Sequence, residues 1–212
     1  MTRRNTRQRI LETSLVLFNE FGEPNVTTNQ IADELDISPG NLHYHFKRKK
    51  DIVEQLFDQY QEAIQPLIDS PPETAPELED FWFYLHMIFE AIGQFRFLYR
   101  DLNDLVDSYP KLLKPFRRLL ARKRSTALTI CQQLAGSGVL QADPVELESL
   151  ADHIVLVMIY WLPFSEVADA EETASGTELS RAVYQVFSLI LPHLREPERS
   201  QTRLLALSYL DQ

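Results

Sequence analysis

The amino-acid sequence predicts an all-α protein in which a three-helix N-terminal head is joined to a larger helical domain. Apolar residues recur at helical spacing through most of the 212 residues, and the alternating Val- and Thr-rich runs that are typical of strands are scarce. Prolines and glycines separate the apolar segments, most clearly at residues 69–76, where three prolines exclude a continuous helix. We place the functional boundary near residue 50, which gives domains of residues 1–50 and 51–212.

The first predicted helix covers residues 7–21. Its apolar stripe includes Ile10, Leu17 and Phe18 at helical spacing. Gly22 ends the helix and Pro24 follows just beyond it, which is a common order of residues at a helix C-terminus. The six residues before the helix are polar and basic, and we expect them to form a loose arm.

Two short helices joined by a tight turn are predicted next. Thr27 can cap the first of them, because its hydroxyl can accept a hydrogen bond from an unpaired backbone N–H, and Ile31 and Leu35 give that helix an apolar face. Ser38 can cap the second, and Pro39 suits its first position, where no intrahelical hydrogen bond is lost. This is the pattern of a helix-turn-helix.

The second helix of this pair, which we call the recognition helix, has one apolar and one polar side. Leu42 and Phe46, four residues apart, form the buried side. The remaining positions carry side chains that can hydrogen-bond to bases or phosphates, namely Asn41, His43, Tyr44 and His45. Gly40 allows a close approach to a phosphate backbone, and four basic residues follow at 47–50. The pattern predicts a helix that enters the major groove of DNA, with the basic run over phosphates.

The segment from about residue 7 to residue 56 resembles the DNA-binding domain of the TetR family of bacterial regulators. The resemblance rests on the opening RQRILETSLVLFNEFG, on the T-x-x-x-I-A-x-x-L helix and on S-P-G-N-L-H-Y-H-F-K-x-K-x-D. It implies DNA contacts by Thr27, Thr28, Ser38, Pro39, Gly40, Asn41, His43, Tyr44, His45, Lys47 and Lys49. His43 and Pro39 depart from the commonest family pattern, which bears on the operator sequence and not on the mode of binding.

The rest of the chain predicts further helices. We expect them at about 49–65, 77–100, 102–108, 111–135 (kinked or begun at Pro115), 144–163 and 177–191. After Pro197 we expect a terminal amphipathic helix with Leu204, Leu205, Leu207 and Leu210 on its apolar side. An acidic loop at 166–176 separates the last two long helices.

The charge distribution agrees with DNA binding, although the whole chain carries a net charge of −10. Residues 1–50 hold eight Lys and Arg against six Asp and Glu, a net charge of +2, so that the remainder carries −12. Affinity for DNA depends on local basic patches and not on the charge of the whole chain.

Other features indicate a cytoplasmic protein. A single cysteine, Cys131, excludes a disulfide framework, and the N-terminus lacks the pattern of a signal peptide. The longest apolar run, residues 154–163, is shorter than the roughly 20 residues that span a bilayer, so we expect no membrane partner.

The sequence shows no catalytic constellation, and we predict neither an enzyme nor a cofactor. No nucleophile motif, glycine-rich phosphate loop or Cys/His metal spacing occurs. His86 and Glu90 stand four residues apart, but a carboxylate di-metal site needs two Glu-x-x-His motifs and two further glutamates. We therefore predict no metal site.

The resemblance also implies a homodimer that is controlled by a small-molecule effector and acts most often as a repressor of an operator in double-stranded DNA. Aromatic residues of the larger domain fit either a packed core or the lining of an effector pocket. The candidate pocket residues are Trp82, His86, Phe89, Tyr99, Met158 and Trp161. Control by a protein partner, with no small-molecule effector, is the alternative.

A dimer contact is predicted from two helices near the C-terminus. The helix at 144–163 is apolar on nearly every face, and the helix at 177–191 has an apolar stripe opposite small uncharged residues. Four such helices, two from each protomer, would pack about a two-fold axis. The candidate interface residues are Ile154, Met158, Leu179, Val183, Val186, Phe187 and Ile190.

Overall fold

The computed structural model describes residues 6–69, 78–168 and 177–210, and it confirms the all-α class. The described residues form eleven α-helices and a short 3₁₀ turn at Leu191–His193. The helices are α1 (Thr6–Phe21), α2 (Thr28–Glu34), α3 (Pro39–His45), α4 (Lys49–Asp69), α5 (Leu78–Gln94), α6 (Phe97–Arg100), α7 (Leu102–Ser108), α8 (Pro110–Gly136), α9 (Pro144–Ala168), α10 (Thr177–Ile190) and α11 (Glu198–Leu207). The predicted basic arm lies outside the described residues, except that Thr6 begins α1.

The chain divides into two compact units, and each unit is made of two separate segments of the sequence. The first unit contains residues up to 63 together with 95–115, and the second contains 64–94 and 116 onward. The segment 95–115 therefore belongs with the helix-turn-helix, although it follows α5 in sequence. The functional boundary at residue 50 stays a prediction.

Local sequence signals determine where the helices of the head begin. The Thr27 side chain accepts a hydrogen bond from the backbone N–H of Gln30 at 3.3 Å, and the Gln30 side chain accepts one from the backbone N–H of Thr27 at 2.7 Å. This reciprocal capping box satisfies two backbone donors at the start of α2. Ser38 caps α3 through the N–H of Asn41 at 3.2 Å, and Pro39 occupies the first turn.

The core of the head is built from the predicted apolar stripes. Ile10 and Phe18 of α1, Ile31 of α2 and Leu42 of α3 are fully buried. Gly22, with φ +85, ends α1 in the left-handed region that favours glycine. The packing fixes the orientation of α3 and leaves its polar side at the surface.

The segment that contains Tyr99 differs from the prediction in its helix bounds and in the role of Tyr99. Residues 77–100 do not form a single helix, because α5 ends at Gln94 and α6 begins at Phe97. Tyr99 is fully buried, its hydroxyl shares a hydrogen bond with that of Tyr60, and their rings meet edge to face with centroids 5.8 Å apart. Tyr99 is therefore a core residue of the first unit, whereas the other candidate pocket residues belong to the second unit.

Three helices continue through prolines at which the sequence predicts an end or a kink. α4 continues through Pro66 to Asp69, α8 runs unbroken through Pro115, and α9 continues through Pro163 to Ala168. A proline inside a helix removes one hydrogen bond, but packing of the flanking turns can maintain the helix. α9 thus covers the start of the predicted acidic loop, and residues 169–176 of that loop lie outside the described residues.

The second unit is held together by α10, which packs against α5, α9 and α11. Phe187 of α10 meets Phe81 of α5 edge to face with ring centroids 6.2 Å apart. α5 and α10 approach closely at Gly93, where an added Cβ would lie 2.4 Å from Leu179 Cδ1. The terminal helix, α11, begins at Glu198, directly after Pro197, and ends at Leu207.

This packing corrects the predicted dimer contact. Six of the seven candidate interface residues, namely Ile154, Met158, Val183, Val186, Phe187 and Ile190, are buried within the protomer, and Leu179 is half-buried against Gly93. The six buried side chains form the core of the second unit and cannot also cover a partner.

α9 is also long and apolar enough to cross a membrane by length and composition alone. Its buried residues pack against α10 inside the second unit, which is the arrangement expected of a core helix.

Candidate nucleic-acid interface

The outer face of α3 carries exposed polar and aromatic side chains at predicted DNA-contacting positions. Tyr44 is 77% exposed although it is a large aromatic residue, and Asn41 and His43 are exposed beside it. The Tyr44 ring meets the ring of His45 edge to face with centroids 5.2 Å apart, which limits its orientation. Tyr44 thus offers a flat apolar surface and a hydroxyl at the middle of the recognition helix.

Gly40 lies in the first turn of α3 and has no structural reason, within the protein, to be glycine. An added Cβ would meet only Ser38 Oγ, at 3.9 Å, and the backbone of Gly40 has an ordinary φ. Glycine is less favourable than alanine in a helix. The absence of a side chain therefore matches the predicted close approach of an external backbone such as that of DNA.

The supporting residues at the start of α2 lie where the prediction requires them. Thr27 is exposed and Thr28 is half-buried, while Ser38 and Pro39 are exposed at the start of α3. All of them belong to the first unit, so that the helix-turn-helix brings the predicted contacts together in one part of the chain. Their contacts with DNA stay predictions.

Three of the four basic residues at 47–50 are exposed or paired with a carboxylate of α4. Lys47 is exposed. Arg48 forms a surface ion pair with Asp51 at 3.7 Å, and Lys50 forms a half-buried ion pair with Glu54 at 3.6 Å. An exposed cation such as Arg48 pairs only weakly with a surface carboxylate and can exchange it for a phosphate.

Lys49 points inward, which corrects its predicted role as a phosphate contact. Its ammonium lies 2.6 Å from the carbonyl oxygen of Glu23, 2.7 Å from that of Val26 and 2.8 Å from Glu23 Oε1. An ammonium has three N–H donors, and these three acceptors match that number. Lys49 therefore ties the start of α4 to the turn between α1 and α2.

The Glu23 carboxylate is the centre of a network that sequence reasoning missed. Its side chain is 4% exposed, and it accepts hydrogen bonds from Lys49 and from the hydroxyl of Tyr109. The backbone N–H of Glu23 donates to Asp101 Oδ2 at 2.8 Å. Burial, followed by the hydrogen bond to Glu23, raises the pKa of Tyr109, so that its hydroxyl remains a donor at neutral pH. Residues 101–109 thus hold the turn that precedes the helix-turn-helix.

Arg100 holds the end of α1 in the same region. Its guanidinium donates to the carbonyl oxygens of Phe18 at 2.8 Å and Asn19 at 3.0 Å. A cation at these positions satisfies terminal carbonyls and interacts favourably with the negative end of the helix dipole. The backbone N–H of Phe97 donates to the Asn19 side chain at 3.1 Å, which adds a second link between α1 and this segment.

The candidate pocket residues of the second unit do not form a single site. His86 and Phe89 line a groove of about 240 Å³ together with Leu179, Val183 and Tyr209. Trp82 stacks on His86 with ring centroids 6.0 Å apart. Met158 instead lines a separate small cavity, and the Trp161 indole N–H donates to the carbonyl oxygen of Glu178 at 2.6 Å.

Two family models match the chain. Residues 10–56 match the model described as bacterial regulatory proteins of the tetR family, and residues 59–202 match the TetR model described as a bacterial transcriptional repressor. The second match alone covers more than half of the chain. The chain belongs to the TetR family.

Solved structures agree with this assignment. A TetR-family transcriptional regulator from Marinobacter aquaeolei VT8 is 37% identical, with a TM-score of 0.86 over 97% of this chain and 99% of that one. The ketosteroid transcriptional regulator KstR2 of Mycobacterium tuberculosis is 18% identical, with a TM-score of 0.61 over 91% of this chain and 97% of that one, and shows the shared fold alone. The TetR fold therefore extends over nearly the whole chain.

Curated relatives match shorter segments. The probable HTH-type transcriptional regulator YttP of Bacillus subtilis is 22% identical over 106 residues, which are 47% of this chain and 51% of YttP. An HTH-type regulator of Staphylococcus aureus is 47% identical over 49 residues, 23% of this chain and 26% of that protein. The chain thus spans about half of one relative and about a quarter of the other. The matched families and relatives are transcriptional regulators and not enzymes, and this TetR-family protein is a DNA-binding transcriptional regulator.

Proposed function

We propose that this protein binds an operator as a homodimer, represses transcription from it in the cytoplasm, and is released when a small apolar effector binds its second unit. The observation that carries the proposal is the exposed face of α3, where Tyr44 projects between Asn41 and His45 from a helix that is capped by Ser38 and packed through Leu42. Direct readout of bases requires such a rigid helix with hydrogen-bonding side chains on its free side.

A different stripe of α9 supports the dimer. Leu156, Tyr160, Phe164 and Val167 are all exposed, and successive members are three or four residues apart, so that they share one helix face. A contiguous exposed apolar stripe marks an interaction surface. A second copy of this chain is the occupant that we propose, because two heads are needed to reach half-sites one helical turn of DNA, or a multiple, apart.

The groove and the small cavity of the second unit support effector control. Both are lined mainly by apolar and aromatic side chains, with a few polar groups among them. The structurally similar KstR2 is named for a ketosteroid, but at 18% identity it shows only the fold, so the argument rests on the cavities of this chain.

The chain path supports a link between effector and DNA. α8 begins at Pro110, beside Tyr109 and its hydrogen bond to Glu23, and its later residues belong to the second unit. A ligand that favours one position of α8 would also favour one arrangement of the turn at Glu23. Release then follows if the ligand binds the non-DNA-binding arrangement more tightly.

Selection of bound DNA from a random pool, at a stated salt concentration, tests the DNA-binding part of the proposal. We expect a palindromic or near-palindromic site, and repression when that site overlaps a promoter in a purified transcription assay. Activation in the same assay would overturn the repressor role.

A thermal-shift screen distinguishes effector control from control by a protein partner. A compound that binds the folded protein raises its melting temperature by mass action, and an effector must also lower operator affinity. If compounds do not shift the melting temperature but a protein partner displaces the operator, the alternative is correct.

A further inference from the structure

Lys123 of α8 is a buried cation in the interior of the second unit. Only 5% of the residue is exposed. Its neighbours in sequence are both arginines at the surface: Arg122 pairs with Asp69, and Arg124 pairs with Asp152 of α9. The middle residue of this basic triplet therefore points to the inside of the unit, where a leucine would be expected from the burial of the position alone.

The Lys123 side chain lines the small cavity that Met158 also lines. The other lining residues are contributed by α4, α5, α8 and α9, and all except Tyr84 are apolar: Ile68, Phe81, Leu85, Ile88, Ala127, Ile130 and Ile154. The cavity has a volume of about 20 Å³, which is room for about one water molecule. Lys123 is thus a formally charged group beside an otherwise apolar space.

An ammonium in such surroundings is expensive to keep charged. Burial lowers the pKa of Lys123 from 10.5 to about 7. This shift means that the contacts of the ammonium do not fully compensate for its lost hydration. A residue whose charge is destabilised in the resting protein gains most from an added anion. Perturbed groups of this kind in clefts are frequently functional.

We infer that the effector is an amphipathic anion, whose acid group binds the ammonium of Lys123 and whose apolar body occupies the cavity among α5, α8 and α9. This inference rests on the proposed effector control and names the chemical class of the effector. An ammonium has three N–H donors, so it can take an additional carboxylate or phosphate oxygen beside any acceptor that it already contacts.

The small volume of the cavity ties binding to movement. A ligand larger than one water molecule can enter only if the helices that line the cavity move apart, because a packed interior does not yield to added atoms without a shift of backbone. α8 is one of these helices, and it is the one that begins beside Tyr109 in the first unit. Entry of the anion therefore requires a shift of α8 or of the helices that pack against it.

Matched acid and alcohol probes test the inference. Octanoate is compared with 1-octanol, and 4-phenylbutyrate with 4-phenyl-1-butanol, by isothermal calorimetry on the full chain and by displacement of the selected operator. We expect each acid to bind the wild type about tenfold or more tightly than its alcohol, which is the effect of one charge-assisted hydrogen bond.

Two variants assign the preference to Lys123. Lys123→Met keeps the length of the side chain and removes the charge, and we expect it to lose the preference for acids while binding the alcohols as well as the wild type or better. Lys114→Met, the same substitution at an exposed position of α8, is the control and should keep the preference. Thermal melts confirm that both variants fold.

The possible outcomes separate the inference from the proposed function. Equal binding of acids and alcohols to the wild type, or an acid preference that survives in Lys123→Met, would overturn the role of Lys123. Alcohols that still displace the operator would leave effector control standing without an anionic effector. If no probe binds at millimolar concentration, the anion site is refuted, while operator binding is measured independently.

Discussion

The ammonium of Lys49 lies 2.8 Å from the carboxylate of Glu23, and the latter is 4% exposed. Lys49 also binds two backbone carbonyl oxygens of the turn between α1 and α2, at Glu23 and Val26. A single side chain at the start of α4 therefore neutralises a buried carboxylate and satisfies the backbone that leads into the helix-turn-helix. In this position the lysine stabilises the head.

Lys49→Met should destabilise the protein. It leaves the buried carboxylate of Glu23 without its cation, and we expect a loss of about 3 kcal/mol, the lower end of the range for breaking a buried ion pair, because Lys49 is 23% exposed. Urea melts measure the loss. The double variant Glu23→Gln with Lys49→Met should recover part of the stability, since no isolated charge then remains buried. If Lys49→Met lost DNA affinity but kept its stability, Lys49 would be a phosphate contact after all.

Lys47→Ala should weaken binding to operator and random DNA alike. Lys47 is an exposed lysine of the basic run, and a phosphate contact carries no information on the base sequence. The slope of log K against log salt should fall by about one unit for the lost contact. Lys111→Ala, at an exposed lysine of α8, is the matched control and should leave the slope unchanged. A loss confined to the operator would show that Lys47 reads a base.

Gly40→Ala should change stability and DNA affinity in opposite directions. The added Cβ has open space, 3.9 Å from its nearest neighbour, and alanine in a helix is more favourable than glycine by about 0.5–1 kcal/mol. The same methyl group would stand between α3 and the DNA backbone and lower affinity for all sequences. Melts and fluorescence anisotropy measure the two effects. An alanine variant with wild-type affinity would show that the DNA does not approach α3 at this point.

The head could be predicted in detail because its signals are local. Thr27 with Gln30 and Ser38 with Pro39 specify two helix starts within a few residues of sequence, and the spacing of Leu42 and Phe46 indicates which side of α3 is buried. The polar side follows from these facts without any knowledge of distant contacts.

Contacts between distant residues had no such signal. Tyr109 meets Glu23 across 86 positions, and nothing near either residue in the sequence indicates the partner. The triplet that contains Lys123 has the composition of a solvated face, and only tertiary packing places its middle member inside. Similarly, the apolar stripe of α10 indicates a buried face, but periodicity alone does not distinguish burial inside the protomer from burial in a dimer.

Lys123→Met should stabilise the protein in a pH-dependent manner. Because burial lowers the pKa of Lys123 from 10.5 to about 7, the unfolded wild type binds more protons than the folded protein between these values, and wild-type stability contributed by this group rises with pH. The stability advantage of the methionine variant should therefore be largest below pH 7 and should shrink by about 2–3 kcal/mol between about pH 6 and pH 9. Urea melts at both pH values measure it, and Lys114→Met should show no such trend. An advantage that does not depend on pH would mean that Lys123 is not desolvated.

The exposed stripe of α9 can be tested by charge. Leu156→Glu combined with Phe164→Glu places two carboxylates on a face that is exposed in the protomer, so that folding of the protomer should be retained. In a dimer the same carboxylates would be buried without partners, which is strongly unfavourable. We expect the variant to sediment as a monomer and to bind the operator about 10²–10⁴-fold more weakly, because the second head no longer acts at high effective concentration. Leu204→Glu, at an exposed leucine of α11, is the matched control and should remain dimeric. A wild type that sediments as a monomer at micromolar concentration would remove the dimer from the proposal, and a double variant that remains dimeric would place the interface elsewhere on the second unit.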